Sequence, residues 1–167
     1  MPFDRPDIFK LPFPAPDTKM NVELKIINSI MIKYIPKYES TGAAGIDLRA
    51  CIEESISLKP GESTLVGTGL AINIKRQDYG GFIFPRSGLG HKQGLVLGNL
   101  VGVIDSDYQG EIKISLWNRS NEVRVIQPFD RIAQLVFIPI VHAVFDVVDT
   151  FEKSERGENG FGSTGNQ

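Results

Sequence analysis

Cysteine is nearly absent from this sequence, in which Cys51 is the one thiol among 167 residues. A lone cysteine cannot form a disulfide within the chain, which favours a reducing compartment, and we interpret Cys51 as a small structural residue rather than a reactive thiol. Histidine is scarce as well. We place His91 in a loop and His142 in a strand, too isolated from each other to suggest a transition-metal site.

An excess of positive charge is also missing. The formal net charge is -2 and the isoelectric point is about 5.7, whereas a general nucleic-acid binder carries a basic surface. We therefore expect no direct binding of nucleic acid. Any site for phosphate has to be local.

No segment is apolar for long enough to cross a membrane. The most apolar stretch, Leu135–Phe145, is interrupted by Pro139 and His142 and is shorter than the roughly 18 to 20 residues that a spanning helix needs. A secretory signal is not expected either, because Asp4, Asp7 and five prolines interrupt the first sixteen residues. The sequence predicts a cytoplasmic protein without membrane association.

Helical periodicity is missing, and apolar and polar residues alternate with a period of two, which predicts strands with one buried face. The predicted strands are Val22–Ile26, Leu70–Ile74, Ile112–Leu116 and Val123–Val125. Turn residues follow at Lys59–Glu62, Asp78–Gly81, Arg119–Asn121 and Gln127–Pro128. A chain of this length with 41% hydrophobic residues should form one all-β domain, and the pattern leaves a sandwich or a barrel open.

Two neighbouring segments carry most of the chemistry. In Pro85–Gly90 an arginine and a serine hydroxyl stand beside a glycine whose backbone amide is unshielded, a combination that suits oxyanions such as phosphate. In Gly98–Gly110 a carboxylate, Asp105, ends an apolar strand and could hold a water molecule or a sugar hydroxyl. Together they suggest a nucleotide that is cut at a phosphate.

These two segments resemble the second and third motifs of the trimeric deoxyuridine triphosphate nucleotidohydrolases, the dUTPases. The other three motifs of that family follow its order, at Ala44–Leu48, Arg131–Leu135 and Arg156–Gly165. The resemblance implies a jelly roll (β-clip) sandwich or barrel with a short helix near Asp78. It also implies a homotrimer with sites between subunits, and hydrolysis of dUTP to dUMP and diphosphate, which limits uracil in DNA and supplies the thymidylate precursor.

The resemblance assigns the nucleoside part of the substrate to the third motif. Asp105 is the expected general base, ionised at neutral pH, and it also meets the sugar 3′-hydroxyl; Asp107 is interpreted as structural. Tyr108 would lie beneath the deoxyribose and exclude a ribose 2′-hydroxyl. The residues expected to read uracil in a hairpin, through backbone groups that leave no room for a 5-methyl group, are Gly98, Asn99, Gly102, Val103, Ile104 and, by its backbone, Lys113.

The phosphates are assigned to the second and fourth motifs. Arg86, Ser87 and Gly88 are expected at the α- and β-phosphates, with Gln134 as an amide donor nearby. Arg131 either joins them or pairs with a carboxylate. Asp47 is either a support for Arg86 or a ligand, through water, of a Mg²⁺ ion. Such an ion is expected because these few cations cannot neutralise the charge of a triphosphate, and phosphate and water oxygens would mostly hold it.

Both ends of the chain differ in composition from the β-domain, which is expected over residues 21–152. Residues 1–20 are rich in proline and read as an extended arm, whose Phe3, Phe9 and Phe13 could dock on a neighbouring subunit; a disordered arm or a true start at Met20 are the alternatives. Residues 153–167 are rich in glycine. The spacing of Gly160–Gly165 matches the glycine fingerprint of dinucleotide-binding proteins, but that motif needs a helix after it and none can follow here, so the match is accidental. By resemblance residues 153–167 form a lid whose functional residues are Arg156, Phe161, Gly162 and Ser163.

Three residues depart from the family pattern, namely Ala43, Phe129 and Asn159, where Ser, Gly and Gly are common. The first two concern local turns. Two rival functions stay open. A dCTP deaminase of the same fold would release ammonia, and a protein that only senses deoxynucleotides would bind dUTP without releasing diphosphate.

Overall fold

The computed structural model describes residues 19–154 and 157, and it is built almost entirely of strands. The ten strands are β1 (Glu23–Ile26), β2 (Ile46–Arg49), β3 (Ile56–Leu58), β4 (Ser63–Asn73), β5 (Tyr79–Phe84), β6 (Leu95–Leu97), β7 (Gly102–Ile104), β8 (Glu111–Asn118), β9 (Arg124–Ile126) and β10 (Arg131–Pro139). Two short helical segments, a 3₁₀ helix at Ser29–Tyr34 and a π-helical turn at Leu89–Gln93, complete the described elements. The predicted all-β class is confirmed.

The strands form two four-stranded antiparallel sheets and a two-stranded ribbon. One sheet has the order β1-β4-β8-β6, the other has the order β2-β10-β5-β7, and the ribbon pairs β3 with β9. Each large sheet therefore begins with an edge strand, β1 or β2, that has one unpaired side in the described chain. This arrangement is the sandwich of a jelly roll.

The core lies between the two large sheets and follows the period of two. On β8, Ile112, Ile114 and Leu116 are buried, whereas the intervening Lys113 is exposed. Burial of each such side chain contributes about 1.5 to 3 kcal/mol. The predicted alternation thus places the hydrophobic face of this strand as expected.

A buried asparagine fixes the turn after β8. The Nδ2 of Asn118 donates to the carbonyls of Leu58 (2.9 Å) and Glu122 (2.8 Å), and its Oδ1 accepts from the Ser120 backbone N–H (2.9 Å) and hydroxyl (2.8 Å). All polar atoms of the side chain are therefore satisfied, which is the condition for burying an amide without a large cost. The turn predicted at residues 119–121 is present.

The region around Asp78 differs from prediction in two ways. The structure has a turn at residues 77–78 and no helix there, and the predicted turn at Asp78–Gly81 is wrong because β5 begins at Tyr79. Gly81 is a buried strand residue, and a Cβ there would come within 3.2 Å of Ile104 and Leu135. Gly81 thus serves close packing of β5 against its neighbouring strands.

The chain leaves the sheets after Pro139. Residues 141–151 lie outside every strand and make no hydrogen bond to the rest of the described chain, so the expected strand position of His142 is wrong. Most of their large apolar side chains are nearly fully exposed, namely Val141 (93%), Val144 (93%), Phe145 (87%), Val147 (99%) and Phe151 (92%), whereas Val148 is 55% exposed. We call residues 141–151 the apolar arm. The sheets therefore end well before residue 152.

Within the described part of the chain, no helix has the length and apolar character needed to span a membrane. Residues 1–18, which include most of the proline-rich segment, lie outside the described residues.

Candidate active site

Arg86, Ser87 and Gly88 lie between β5, which ends at Phe84, and the π-helical segment that begins at Leu89. The Gly90 N–H donates to the Arg86 carbonyl (2.8 Å), which closes the first turn. A Cβ at Gly88 would meet no atom within 4 Å, so the backbone is open to a ligand on that side. The second motif thus presents a guanidinium, a hydroxyl and an accessible backbone together.

Asp47 on β2 joins two arginines of the predicted site. Its Oδ1 accepts from Arg86 Nε at 2.7 Å, and its Oδ2 accepts from Arg131 Nη1 at 3.2 Å and from Arg86 Nη2 at 3.4 Å. The carboxylate is mostly buried and Arg131 is the most exposed of the three. Two cations against one anion leave a net positive charge at this corner, which suits an oxyanion.

Gln134 on β10 lies between Asp47 and Arg86. In the sheet it is paired with Asp47 on β2 and with Phe84 on β5, and its Nε2 donates to the Pro85 carbonyl at 3.2 Å. Gly45 leaves room for this side chain, because a Cβ there would come within 2.8 Å of the Gln134 Oε1. The first, second and fourth motifs therefore converge on three adjacent strands. We call this group, Asp47, Arg86, Ser87, Gly88, Arg131 and Gln134, the phosphate corner.

Asp105 directly follows β7 and is exposed. The Tyr108 N–H donates to the Asp105 carbonyl (3.1 Å), so the two residues bracket a tight turn. The carboxylate lies on an open cleft of about 490 Å³. The other residues that line the cleft are Asn73, Lys75, Gln77, Gly80, Phe82, Val103, Ile104, Ser106, Asp107, Gln109, Ile140 and His142.

Tyr108 lies against the backbone of its own turn. Its hydroxyl donates to the Glu111 carbonyl at 3.1 Å, and its ring lies so close to Gly110 that a Cβ there would come within 2.7 Å of the ring carbon Cζ. The ring is half exposed. One ring face is thus supported by the chain while solvent reaches other parts of the side chain.

The residues predicted to read the base do not form a paired hairpin. β6 pairs with β8 in one sheet, whereas Gly102, Val103 and Ile104 of β7 pair with β5 in the other, so exposed Asn99 lies in a crossover between sheets. Lys113 belongs to β8, on the sheet opposite β7, and its Nζ lies 3.8 Å from the Glu111 Oε2. The predicted hairpin is therefore wrong: the segment between β6 and β7 connects the two sheets.

Asp105 and the phosphate corner lie at opposite ends of β5. Gly81 at the start of β5 is paired with Ile104, so Asp105 falls beside Gly80, while Arg86 follows the far end of the same strand. Six residues of strand span ~20 Å. The structure therefore does not bring Asp105 and Arg86 of one chain together. The lid residues Arg156, Phe161, Gly162 and Ser163 lie outside the described residues.

Charged neighbours and burial shift the pKa of three described groups. Hydrogen bonds from Lys75 and then Asn73, two residues that line the cleft, hold the pKa of the Glu23 carboxyl below its ordinary value. Arg76 does the same for the pKa of Asp78. Burial, followed by the nearby Glu111 charge, raises the pKa of the Cys51 thiol.

Sequence reasoning missed Tyr34 and Arg49, which contact the turn before Arg131. The Tyr34 and Phe129 rings are stacked with centroids 4.6 Å apart, and the Arg49 guanidinium lies 5.4 Å from the Tyr34 ring centroid. The one signal for this cluster was the unusual Phe129 itself.

The chain is thus an antiparallel β-sandwich of the jelly-roll class, with two arginines on one aspartate near one end of β5 and an exposed carboxylate near the other. The dUTPase family profile matches residues 33–165. Deoxyuridine 5'-triphosphate nucleotidohydrolases of Burkholderia cenocepacia (strain HI2424) and Burkholderia ambifaria (strain MC40-6) are 57% and 58% identical, over 146 residues that make up 87% of this chain and 99% of each relative.

A solved structure is similar as well. The dUTPase of Staphylococcus bacteriophage 80alpha with dUPNHPP has a TM-score of 0.73 and 28% identity, over 87% of this chain and 98% of that chain. The chain therefore belongs to the dUTPase family, and the resemblance carried by its five motifs is confirmed.

Proposed function

We propose that the chain hydrolyses dUTP to dUMP and diphosphate by attack of a water molecule, oriented by Asp105, on the α-phosphorus. Membership of the dUTPase family supports the reaction and the substrate. The observation that supports the site is the pairing of an exposed carboxylate with a separate corner of two arginines on one aspartate. Such a dUTP diphosphatase limits uracil in DNA and supplies dUMP for thymidylate.

The site is assembled from more than one copy of the chain. A general base and a cation that act on the same phosphate must both lie within hydrogen-bond reach of it, yet Asp105 and Arg86 of one chain are separated by the length of β5, ~20 Å. Asp105 of one copy therefore meets the phosphate corner of another. The homotrimer expected from the family resemblance supplies this geometry.

The apolar arm supports assembly. An extended segment with apolar side chains exposed by 87% to 99% at Val141, Phe145 and Val147 costs free energy in water and calls for a covering surface. Ten apolar residues line a slot of about 140 Å³ between the edge strands β1 and β2, which has room for a side chain of such a segment. A second copy of the chain thus offers both an apolar surface and unpaired strand edges.

The chemistry needs no covalent intermediate. The Asp105 carboxylate accepts a proton from water as the water oxygen forms a bond to the α-phosphorus, and the bond from that phosphorus to the bridging oxygen of diphosphate breaks. Arg86, Ser87 and the Gly88 N–H stabilise the charge on the α- and β-phosphates, with Gln134 beside them. Asp105 also accepts a hydrogen bond from the 3′-hydroxyl of the sugar.

Selectivity comes from shape. Tyr108, braced against Gly110, occupies the space that a ribose 2′-hydroxyl would need. Backbone groups of Asn99 and of Gly102–Ile104, with the Lys113 backbone, read the uracil edge and exclude a 5-methyl group. The lid, over residues 153–167, brings Phe161 over the base and Arg156, Gly162 and Ser163 to the distal phosphates.

Mg²⁺ fits this site as an ion that the substrate itself holds. Among residues 19–154 and 157 no three carboxylate, imidazole or thiol groups converge to bind a metal, and both Asp47 oxygens accept from guanidinium groups. Phosphate and water oxygens would mostly hold the ion, and Asp47, whose two carboxylate oxygens accept from guanidinium groups, would support Arg86. When bound, the ion neutralises part of the triphosphate charge.

A diphosphate-release assay across dUTP, dCTP, dTTP and UTP, with and without Mg²⁺, tests the proposal. We expect turnover of dUTP alone and a strong fall when Mg²⁺ is removed. Ammonia release from dCTP would instead support the deaminase, and dUTP binding without diphosphate release would support the sensor. The cytoplasmic location and the interpretation of residues 1–20 stay predictions.

A further inference from the structure

Phe129 has a backbone conformation that is unfavourable for its residue type. Its φ is 66°, in the left-handed region where a side chain normally crowds the following carbonyl. Such strain persists only where surrounding contacts impose it, and it occurs often at functional sites. The contacts around Phe129 therefore indicate what the strain serves.

Three contacts hold Phe129 in place. Its N–H donates to the Ala50 carbonyl at 2.8 Å, its carbonyl accepts from Arg49 Nη1 at 2.9 Å, and its ring stacks on Tyr34 with an interplanar angle of 18°. The Arg49 guanidinium in turn lies over the Tyr34 ring. We call Tyr34, Arg49 and Phe129 the aromatic clamp, which fastens the turn before β10 to the end of β2.

The clamp acts on the residues that follow it. The Ala50 N–H donates to the Asp130 carbonyl at 2.8 Å, and the register of β10 against β2 then shifts between Arg131 and Ala133. This irregularity places Arg131 opposite Arg49, from where its guanidinium reaches the Asp47 carboxylate that also holds Arg86. The clamp is thus linked to the phosphate corner through Arg131.

We infer that the aromatic clamp is a positioning device for the phosphate corner, and that Phe129 is conformationally strained in order to set Arg131, Asp47 and Arg86 for the triphosphate. Arg49 is engaged with the Phe129 carbonyl and the Tyr34 ring, and Phe129 stacks on Tyr34, so the three act on substrate through their neighbours. The inference rests on the proposed function, in which Arg86 binds phosphate.

The test compares ligands that differ in their number of phosphates. In the full-length protein with Mg²⁺, calorimetry measures the affinity of Phe129→Ala and Tyr34→Ala for deoxyuridine, dUMP, dUDP and the α,β-imido analogue of dUTP. We expect unchanged affinity for deoxyuridine and a loss of affinity that grows with each phosphate. For the triphosphate analogue the loss should be about three- to tenfold, which is the size of the coupling usually measured between residues in contact. Phe129→Tyr, which keeps the ring, should restore wild-type affinity.

Two comparisons make this result specific. Tyr38→Ala, a matched control at a half-exposed tyrosine that stacks on no ring within the described part of the chain, should bind all four ligands like wild type. Phe129→Gly removes both the ring and the strain. We expect it to melt at a higher temperature than Phe129→Ala while keeping the same loss of triphosphate affinity, because glycine adopts positive φ freely.

The inference is overturned if Phe129→Ala weakens deoxyuridine and the triphosphate analogue equally, or if Phe129→Gly binds the analogue as tightly as wild type. It is also overturned if Phe129→Ala and Arg131→Ala have additive effects, since the clamp is argued to act through Arg131. An Arg86→Ala variant separates the two proposals. If Arg86→Ala binds the triphosphate analogue like wild type, the phosphate role of Arg86 is refuted, and the inference with it. If Arg86→Ala loses affinity for the analogue but Phe129→Ala does not, only the positioning role of the clamp is refuted.

Discussion

Asp105 lies on the rim of an open cleft, where solvent reaches its carboxylate. We predict that Asp105→Asn lowers kcat by about two or more orders of magnitude, as expected for loss of a general base. Binding of the imido analogue should stay close to wild type because the amide keeps the size of the side chain. Steady-state kinetics and calorimetry measure the two quantities.

Asp107 provides the matched control for that substitution. It lines the same cleft two positions further along the chain, and we interpret it as structural. Asp107→Asn should keep kcat within a few-fold of wild type. A near-normal rate for Asp105→Asn, or a loss of similar size in both variants, would reject the assignment of the base.

Cys51 offers a test of burial at a single thiol. Burial raises the pKa of Cys51 above its ordinary value, so less thiolate is present in the folded than in the unfolded protein at the same pH. We predict that Ellman's reagent reacts more slowly with the folded protein at pH 8 than with urea-unfolded protein. Because the folded pKa is raised, the contribution of this group to stability is present at lower pH and is lost as pH rises through that pKa. Equal rates in both states would contradict this account.

Asp47 shows what could and could not be predicted at single residues. The sequence left two roles open for it, a support for Arg86 or a ligand of Mg²⁺ through water. Its arginine partners lie 39 and 84 positions away, and only the pairing of β2, β10 and β5 brings them together. The spacing of these residues in the sequence does not predict that strand pairing. The residue types of Arg86 and Ser87, in contrast, were enough to predict that they suit an oxyanion.

Among the elements, β4 contains an irregularity that depends on glycine. Between Gly67 and Ala71 its register against β8 shifts, and Gly69 in that segment has a φ of 65°. Its carbonyl accepts from the N–H groups of Ile27 (2.8 Å) and Asn28 (3.2 Å), which ties the chain after β1 to β4. A Cβ at Gly69 would lie 2.8 Å from the Cys51 Sγ and 2.9 Å from the Met31 Cγ.

We therefore predict that Gly69→Ala is much more destabilising than Gly61→Ala. Gly61 also has positive φ, 81°, but a Cβ there would meet nothing within 4 Å. Gly61→Ala should therefore lower the free energy of unfolding only through backbone strain, by about 1 to 2 kcal/mol. Gly69→Ala adds overpacking, which costs about 1 to 3 kcal/mol more. Urea denaturation of both variants measures the difference, and equal losses would show that the buried site can relax.

Elements were predictable where one side-chain pattern decides them. The alternation on β8 predicted its buried face, since burial of every second residue is a property of the strand itself. The turn at Asp78–Gly81 was wrong because Gly81 serves close packing against Ile104 and Leu135, a role that composition cannot distinguish from a turn. The hairpin around Asn99 was wrong because its flanking strands join different sheets.

For the whole molecule, the proposed roles of the apolar arm in assembly and of the lid in catalysis can be tested by truncation. We predict that a chain ending at Glu155 stays assembled and folded but loses most of its turnover, because the lid is removed. A chain ending at Pro139 should also lose the apolar arm, and with it the assembly. Light scattering, circular dichroism and diphosphate release distinguish the two, and comparable turnover in the first variant would show that the lid is not required.

The fold of the whole molecule was predictable because five motifs in order carried the family resemblance. What could not be predicted is where one chain places those motifs. The distance between Asp105 and Arg86 follows from the direction of β5 and from the strand on which each motif ends. The local sequence pattern therefore does not predict the distance between Asp105 and Arg86.

The separation of Asp105 from Arg86 along β5 has a consequence for inheritance. If the proposed site between copies is formed, two inactive variants should complement each other, because an Asp105→Asn chain would still supply the phosphate corner and an Arg86→Ala chain would still supply the carboxylate. We expect the two inactive proteins to regain diphosphate release when they are unfolded and refolded together, and not when they are refolded apart. In a cell that carries both alleles, two null mutations would then give a partly normal phenotype.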